Sequence, residues 1–126
     1  MTRGRALTGG VLGLRIAYGL ALLVAPERVG RPWLGDDMRR GAAQVALRGL
    51  GGREALLHGA ALLMLAQGRP VRGWIAASIG CDLTDFVATA LARADLPRAA
   101  TTKTAAAAGG AAACSGVLLK VLGREG

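Results

Sequence analysis

The sequence predicts an all-α fold, a four-helix transmembrane bundle that runs up-down-up-down as a single domain over residues 1–126. Three observations support this prediction. The chain is 52% hydrophobic with a mean hydropathy of +0.40, which excludes a disordered chain. Its apolar residues form four long segments, and its four prolines all fall between them. Its length suits one domain and excludes a catalytic domain joined to a separate binding domain.

The four predicted helices are long enough to cross a membrane. They span residues 6–25, 42–66, 71–92 and 104–122, which are 20, 25, 22 and 19 residues. At about 1.5 Å per residue, each covers a hydrocarbon core of about 30 Å. The connections contain the prolines and short clusters of arginines, a pattern typical of loops beside an anionic bilayer surface. We therefore expect an integral membrane protein whose partners include the surrounding lipids.

Small residues in the first and fourth helices predict close helix packing. Gly9 and Gly13 form a small-xxx-small pair in the first helix. The fourth helix carries the stretch AAAAGGAAACSG, which is smooth on nearly all sides. That helix is expected to pack within the bundle or against a second copy of the chain, which would give a homo-oligomer.

The third helix favours a membrane bundle over a soluble one. Its polar residues share an arc of roughly 80°: Ser78, Asp82, Asp85, Thr89 and Arg93. The rest of its circumference is apolar except for Thr84. A soluble helix has the reverse pattern, a broad polar face and a narrow apolar stripe. A soluble four-helix bundle is the alternative, because all four segments contain charged residues.

The composition excludes some function classes. The formal charge of +8 is spread over the connections without a compact basic helix or a nucleic-acid motif, and aromatic residues are only 3%. No nucleic-acid partner is therefore expected. The chain has a single histidine, His58, and its two cysteines lack metal-ligand spacing. No metal and no other cofactor is expected.

Ionisable residues inside the predicted spans indicate a polar site near the middle of the membrane. Three arginines and three acids lie there and sum to zero charge: Arg15, Arg48, Arg53, Glu54, Asp82 and Asp85. Arg15, Glu54 and Asp82 fall near the centres of three different helices. Each such ion costs about 2.5–3.5 kcal/mol to insert, so a function is expected for the set.

The helix faces predict which of these residues converge. The expected acid–base residues are Asp82, Asp85, Glu54, Arg48 and Arg15. The expected substrate contacts are Tyr18, His58, Gln44, Ser78 and Phe86. One of the two neighbouring aspartates is expected to retain its proton while Arg48 or Arg15 holds the other as a carboxylate, which provides an acid beside a base. Arg53 points roughly 140° from Arg48 and is expected to face another neighbour.

The chain also resembles a known group of proteins. The stretches LRIAYGLALLVAPERVGRPWLG and QVALRGLGGREALLHGAALL, followed by a helix with a DxxD motif, are similar to an uncharacterised family of small four-helix membrane proteins common in actinobacteria. The stretch RGLGGRE, residues 48–54, is the most specific part of the resemblance. The resemblance implies the four-helix topology and a bacterial cytoplasmic membrane location, and it implies no activity.

Three functions stay open on the sequence. The first is an intramembrane enzyme that acts on a lipophilic small molecule by acid–base chemistry, through isomerisation, cyclisation or epoxide opening. The second is a proton-coupled exporter, similar in length and span number to small multidrug resistance transporters. That resemblance implies a membrane carboxylate in the first helix and an aromatic-lined site, whereas this chain carries Arg15 in its first helix and few aromatic residues. Three arginines disfavour a cationic substrate, and an anionic substrate stays open. The third is a non-catalytic assembly subunit whose charges hold helices together.

Overall fold

Helices make up most of residues 2–124, the part of the chain that the computed structural model describes, and that part contains no strand. The five α-helices are α1 (Arg3–Val24), α2 (Pro26–Leu34), α3 (Gly41–Ala66), α4 (Arg72–Leu91) and α5 (Arg98–Arg124). A short 3-10 helix, Gly35–Arg39, joins α2 to α3. The all-α prediction is confirmed, and the four long helices overlap the four predicted segments.

The ends of α1 and α5 differ from the sequence prediction. Helix α1 begins at Arg3 because the Thr2 hydroxyl accepts a hydrogen bond from the Arg5 N–H, which caps the first turn. Helix α5 begins directly after Pro97, well before residue 104. The hydroxyls of Thr101 and Thr102 donate to carbonyls one turn earlier, so these residues are compatible with helix.

Helix α2 lies in a segment that the sequence predicts to be a connection between two helices. Pro26 occupies its first turn, where the missing N–H costs nothing. Pro32 lies inside α2, so the expectation that all four prolines fall between helices is wrong at this position. It is tolerated because it falls in the last turn, where only one backbone hydrogen bond is lost. The helix ends at Gly35, whose positive φ of 59° suits glycine.

The helices pack mainly as two pairs, α1 with α3 and α4 with α5. The first pair crosses most closely at Gly19 and Gly51, where a Cβ on Gly19 would lie 2.7 Å from the Gly51 carbonyl oxygen. The predicted contact at Gly9 and Gly13 is looser, because a Cβ on Gly13 would meet nothing within 4 Å. The backbones of α1 and α3 therefore approach one another near the middle of the fold.

Two apolar clusters lie toward opposite ends of the fold. One contains Leu12, Ala61, Leu65, Val71, Ile75 and Leu118, and the other contains Leu22, Met38 and Leu47. The charged residues described below lie between these clusters along the helix axes. Each end of the fold is thus closed by apolar packing, and the polar groups lie in between.

Within residues 2–124, three helices are long and apolar enough to cross a membrane: α1, α4 and α5. Helix α3 is of similar length but is not apolar enough to be counted among them. Its hydropathy is lowered by Arg48, Arg53, Glu54 and His58. Its apolar residues nevertheless include Leu56, which is 77% exposed on the outside of the fold.

Candidate functional site

The centre of the candidate site is one arginine held between two carboxylates. The guanidinium of Arg15 on α1 donates from Nε to Glu54 Oε2 at 2.9 Å and from Nη2 to Glu54 Oε1 at 3.2 Å. It also donates from Nη1 to Asp82 Oδ2 at 2.8 Å and from Nη2 to Asp82 Oδ1 at 2.6 Å. Glu54 and Asp82 are each 3% exposed. A single buried cation thus connects α1, α3 and α4, as the sequence predicts for these three residues.

A second ion pair lies beside the first and is more accessible. Arg53 on α3 donates from Nη1 to Asp85 Oδ1 at 3.1 Å and from Nη2 to Asp85 Oδ2. Arg53 Nη2 also lies 3.7 Å from Glu54 Oε1, which joins the two pairs into one cluster. The side chains of Arg53 and Asp85 are each 32% exposed. Asp82 and Asp85 therefore bind different arginines, so the geometry offers each carboxylate its own cationic partner.

The structure exchanges the expected positions of Arg48 and Arg53. Arg48 is exposed and donates to the Leu23 carbonyl at 3.3 Å and to Gln44 Oε1 at 3.5 Å. Gln44 in turn donates to the Met38 carbonyl at 3.1 Å. Carbonyls at a helix end lack intrahelical donors, so the last turn of α1 attracts the Arg48 guanidinium. Arg48 and Gln44 therefore lie at one end of the fold and away from the ion cluster.

His58 and Ser78 form a buried polar pair behind the cluster. The His58 Nδ1 atom lies 2.8 Å from the Glu54 carbonyl oxygen, and Nε2 lies 2.9 Å from Ser78 Oγ. Because a carbonyl only accepts, Nδ1 carries a hydrogen, and in the neutral ring Nε2 then accepts from the Ser78 hydroxyl. Both residues are 1% exposed and lie outside the cavity lining. They support Glu54 from behind and are not placed to touch a molecule in the cavity.

A cavity of about 720 Å³ lies between the two helix pairs. Its charged wall is the cluster just described, together with Tyr18 on α1. The opposite wall is formed by α5, whose alanines at 107, 108 and 111 are too short to fill the space. The indole of Trp33 on α2 lines the cavity as well and donates to Thr104 Oγ1 on α5 at 2.7 Å. The arrangement is an open, mostly apolar cleft with ionised groups along one side.

The remaining expected contacts divide between the cavity and the surface. Tyr18 lines the cavity and is 41% exposed. Phe86 is 40% exposed and lies outside the cavity lining, beside Gly109 of α5. Arg53 and Trp33 also line the cavity, although the sequence predicts no site role for either. The sequence does contain a signal for Arg53, because this arginine belongs to the charge-balanced set inside the predicted spans.

In the described residues, no group of three or more His, Cys, Asp or Glu side chains is arranged to hold a metal ion. Comparisons of the chain with protein-family models, with curated proteins and with solved structures found no match.

Proposed function

We propose that the chain is an integral membrane protein that binds a lipophilic small molecule in the cavity between its two helix pairs. The observation that carries this proposal is the cavity itself, about 720 Å³ with mostly apolar walls and ionised side chains on one side. Small-molecule sites are commonly apolar pockets of about 300–1,000 Å³ with a few convergent polar groups. A membrane supplies such ligands directly, because lipophilic molecules concentrate in the bilayer.

The proposed topology is a four-helix bundle in which α1, α3, α4 and α5 cross the bilayer up-down-up-down. Helix α3 is included because Glu54 and His58 are buried inside the fold while Val45 and Leu56 are exposed on its outer face. An ionised residue in a membrane helix turns toward the protein interior and pairs with another, as Glu54 does with Arg15. The resemblance carried by residues 14–35 and 44–63 supports a bacterial cytoplasmic membrane.

The chemistry proposed for the bound molecule is acid–base catalysis centred on Asp85. Glu54 and Asp82 are almost fully buried, whereas the Asp85 side chain is 32% exposed and lines the cavity. Arg53 holds the Asp85 carboxyl group in place, and Tyr18 provides a hydroxyl on the same cavity wall. A carboxyl group that exchanges a proton with a substrate can serve as the general acid or base in isomerisation, cyclisation or epoxide opening. Proton-coupled export would use the same group.

The proposed function is tested by measuring ligand binding before and after a substitution fills the cavity. Binding of decanol to the Trp74→Phe variant in uncharged nanodiscs is followed by the fluorescence of Trp33, the remaining tryptophan, which lines the cavity. We expect saturable binding, and we expect Ala111→Phe to abolish it because residue 111 lines the cavity. The matched control is Ala106→Phe on the same helix, where the side chain is exposed and outside the cavity lining. Equal binding by both phenylalanine variants would contradict the proposal.

A further inference from the structure

The charges on the cavity wall do not balance. The wall contains two guanidinium groups and three carboxylates: Arg15, Arg53, Glu54, Asp82 and Asp85. The sequence suggests a balanced set only because it counts Arg48, which the structure places at the end of α1 and outside the cavity lining. His58 lies behind Glu54 and outside the cavity lining, so it is not part of this wall. When all five groups are ionised, the wall carries one excess negative charge.

The other walls do not supply the missing positive charge. Helix α5 contributes alanines and the neutral side chains of Thr104, Cys114 and Ser115, and α2 contributes Trp33. The remaining lining residues of α1 and α3 are uncharged. Uncompensated charge in a medium of low dielectric constant is costly, so the cavity favours either a proton on one of the carboxyl groups or an occupant that brings a positive charge in its place.

Among the three carboxylates of the wall, Asp85 is the one that a ligand cation in the cavity can reach. Arg15 is fully engaged, since its guanidinium donates two hydrogen bonds to Glu54 and two to Asp82. Those two carboxylates are buried against it. Asp85 accepts from Arg53 alone and has a third of its side chain exposed. A carboxylate oxygen accepts more than one hydrogen bond, so Asp85 can bind a second donor from the cavity.

We infer that the cavity takes a lipophilic cation, an amine whose ammonium group binds Asp85 and whose apolar body lies along the alanines of α5. This inference rests on the proposed function and specifies the class of ligand at the same site. The aromatic rings of Tyr18 and Trp33 line the same space, and aromatic faces attract an ammonium group. An anion would add to the excess negative charge, and a neutral ligand would leave it uncompensated.

The test compares three molecules with the same alkyl chain and different head groups: decylammonium, decanol and decanoate. Each is titrated into the Trp74→Phe variant in uncharged nanodiscs, with Ala111→Phe as the correction for partitioning into lipid. We expect decylammonium to bind at least tenfold more tightly than decanol, and decanoate to bind most weakly. Equal binding of decylammonium and decanol, or tightest binding of decanoate, would overturn the inference and leave the proposed function intact. If none of the three binds, both fail.

Charge variants test the role of the excess charge in opposite directions. Asp85→Asn removes it, so we expect decylammonium binding to weaken at least tenfold and the preference for decylammonium over decanol to disappear. Arg53→Gln adds a second excess charge, so decylammonium binding should tighten several-fold even if Asp85→Asn fails to fold. Asp95→Asn makes the same change of charge at an exposed position between α4 and α5 and should have no effect. An Arg53→Gln protein that folds and binds decylammonium more weakly would refute the charge argument.

Discussion

The replacement of Arg15 by methionine tests how strongly the central ion cluster stabilises the fold. Arg15 makes four hydrogen bonds of 2.6–3.2 Å to Glu54 and Asp82, and its side chain is only 14% exposed. Removing it leaves two buried carboxylates facing one another, with Arg53, 3.7 Å from Glu54, as the remaining nearby cation. Breaking a buried ion pair in this way costs about 3–5 kcal/mol, and we expect a loss within this range because Asp82 loses its arginine and Glu54 loses the nearer of its two.

The measurement is reversible unfolding in a mild detergent, with sodium dodecyl sulfate as denaturant and circular dichroism as the signal. The matched control is Arg48→Met, which removes the same charge from an exposed position whose partners are a carbonyl and an amide. That control should lose less than about 1 kcal/mol. The triple variant Arg15→Met/Glu54→Gln/Asp82→Asn should recover most of the loss, because no buried charge then lacks a partner. Equal losses for Arg15→Met and Arg48→Met would refute the assignment of Arg15 as the buried centre.

The remaining predictions concern packing, the buried polar pair and access to the cavity. Gly51→Ala should cost about 1–3 kcal/mol in the same unfolding assay, because its Cβ would collide with the backbone of α1. Gly49→Ala faces open space and should instead stabilise by up to about 1 kcal/mol, because alanine is the better helix former. Ser78→Ala should cost about 1–3 kcal/mol because the buried imidazole loses its donor, and Thr84→Ala, an exposed hydroxyl bonded only within its own helix, serves as the control. Cys114 lines the cavity, so decylammonium should slow its alkylation by N-ethylmaleimide as followed by mass spectrometry, and an unchanged rate would place the ligand elsewhere.

These predictions assign different tasks to the two parts of the ion cluster. The Arg15–Glu54–Asp82 part is buried and joins three helices, so its variants should change mainly the free energy of unfolding. Arg53 and Asp85 are each one-third exposed and line the cavity, so their variants should change mainly ligand binding. A cluster that only holds helices together, as in an assembly subunit, would show the first effect without the second.

Much of the fold follows from local properties of the sequence. Long apolar segments interrupted by proline-containing connections indicate the four long helices, because helix formation depends mainly on nearby residues. The meeting of Arg15, Glu54 and Asp82 also follows, since each lies near the middle of its segment and helix periodicity gives its face. Helix α2 was missed because Pro32 suggests a break, and only its position in a final turn makes it acceptable.

The identity of the second arginine and the existence of the cavity depend on tertiary structure. Arg48 and Arg53 are chemically identical, and their long side chains turn toward whichever acceptors the neighbouring helices place nearby. The end of α1 lies beside Arg48, and Asp85 of α4 lies beside Arg53. The alanines of α5 predict close helix packing. Whether the other helices pack directly against these alanines or leave a cavity beside them depends on the contacts those helices make at their other faces. The sequence by itself therefore determined the four long helices and placed Arg15, Glu54 and Asp82 near the middle of three of them. The separation of the helix pairs decided that a cavity exists, and the packing around Arg48 and Arg53 decided which charges line it.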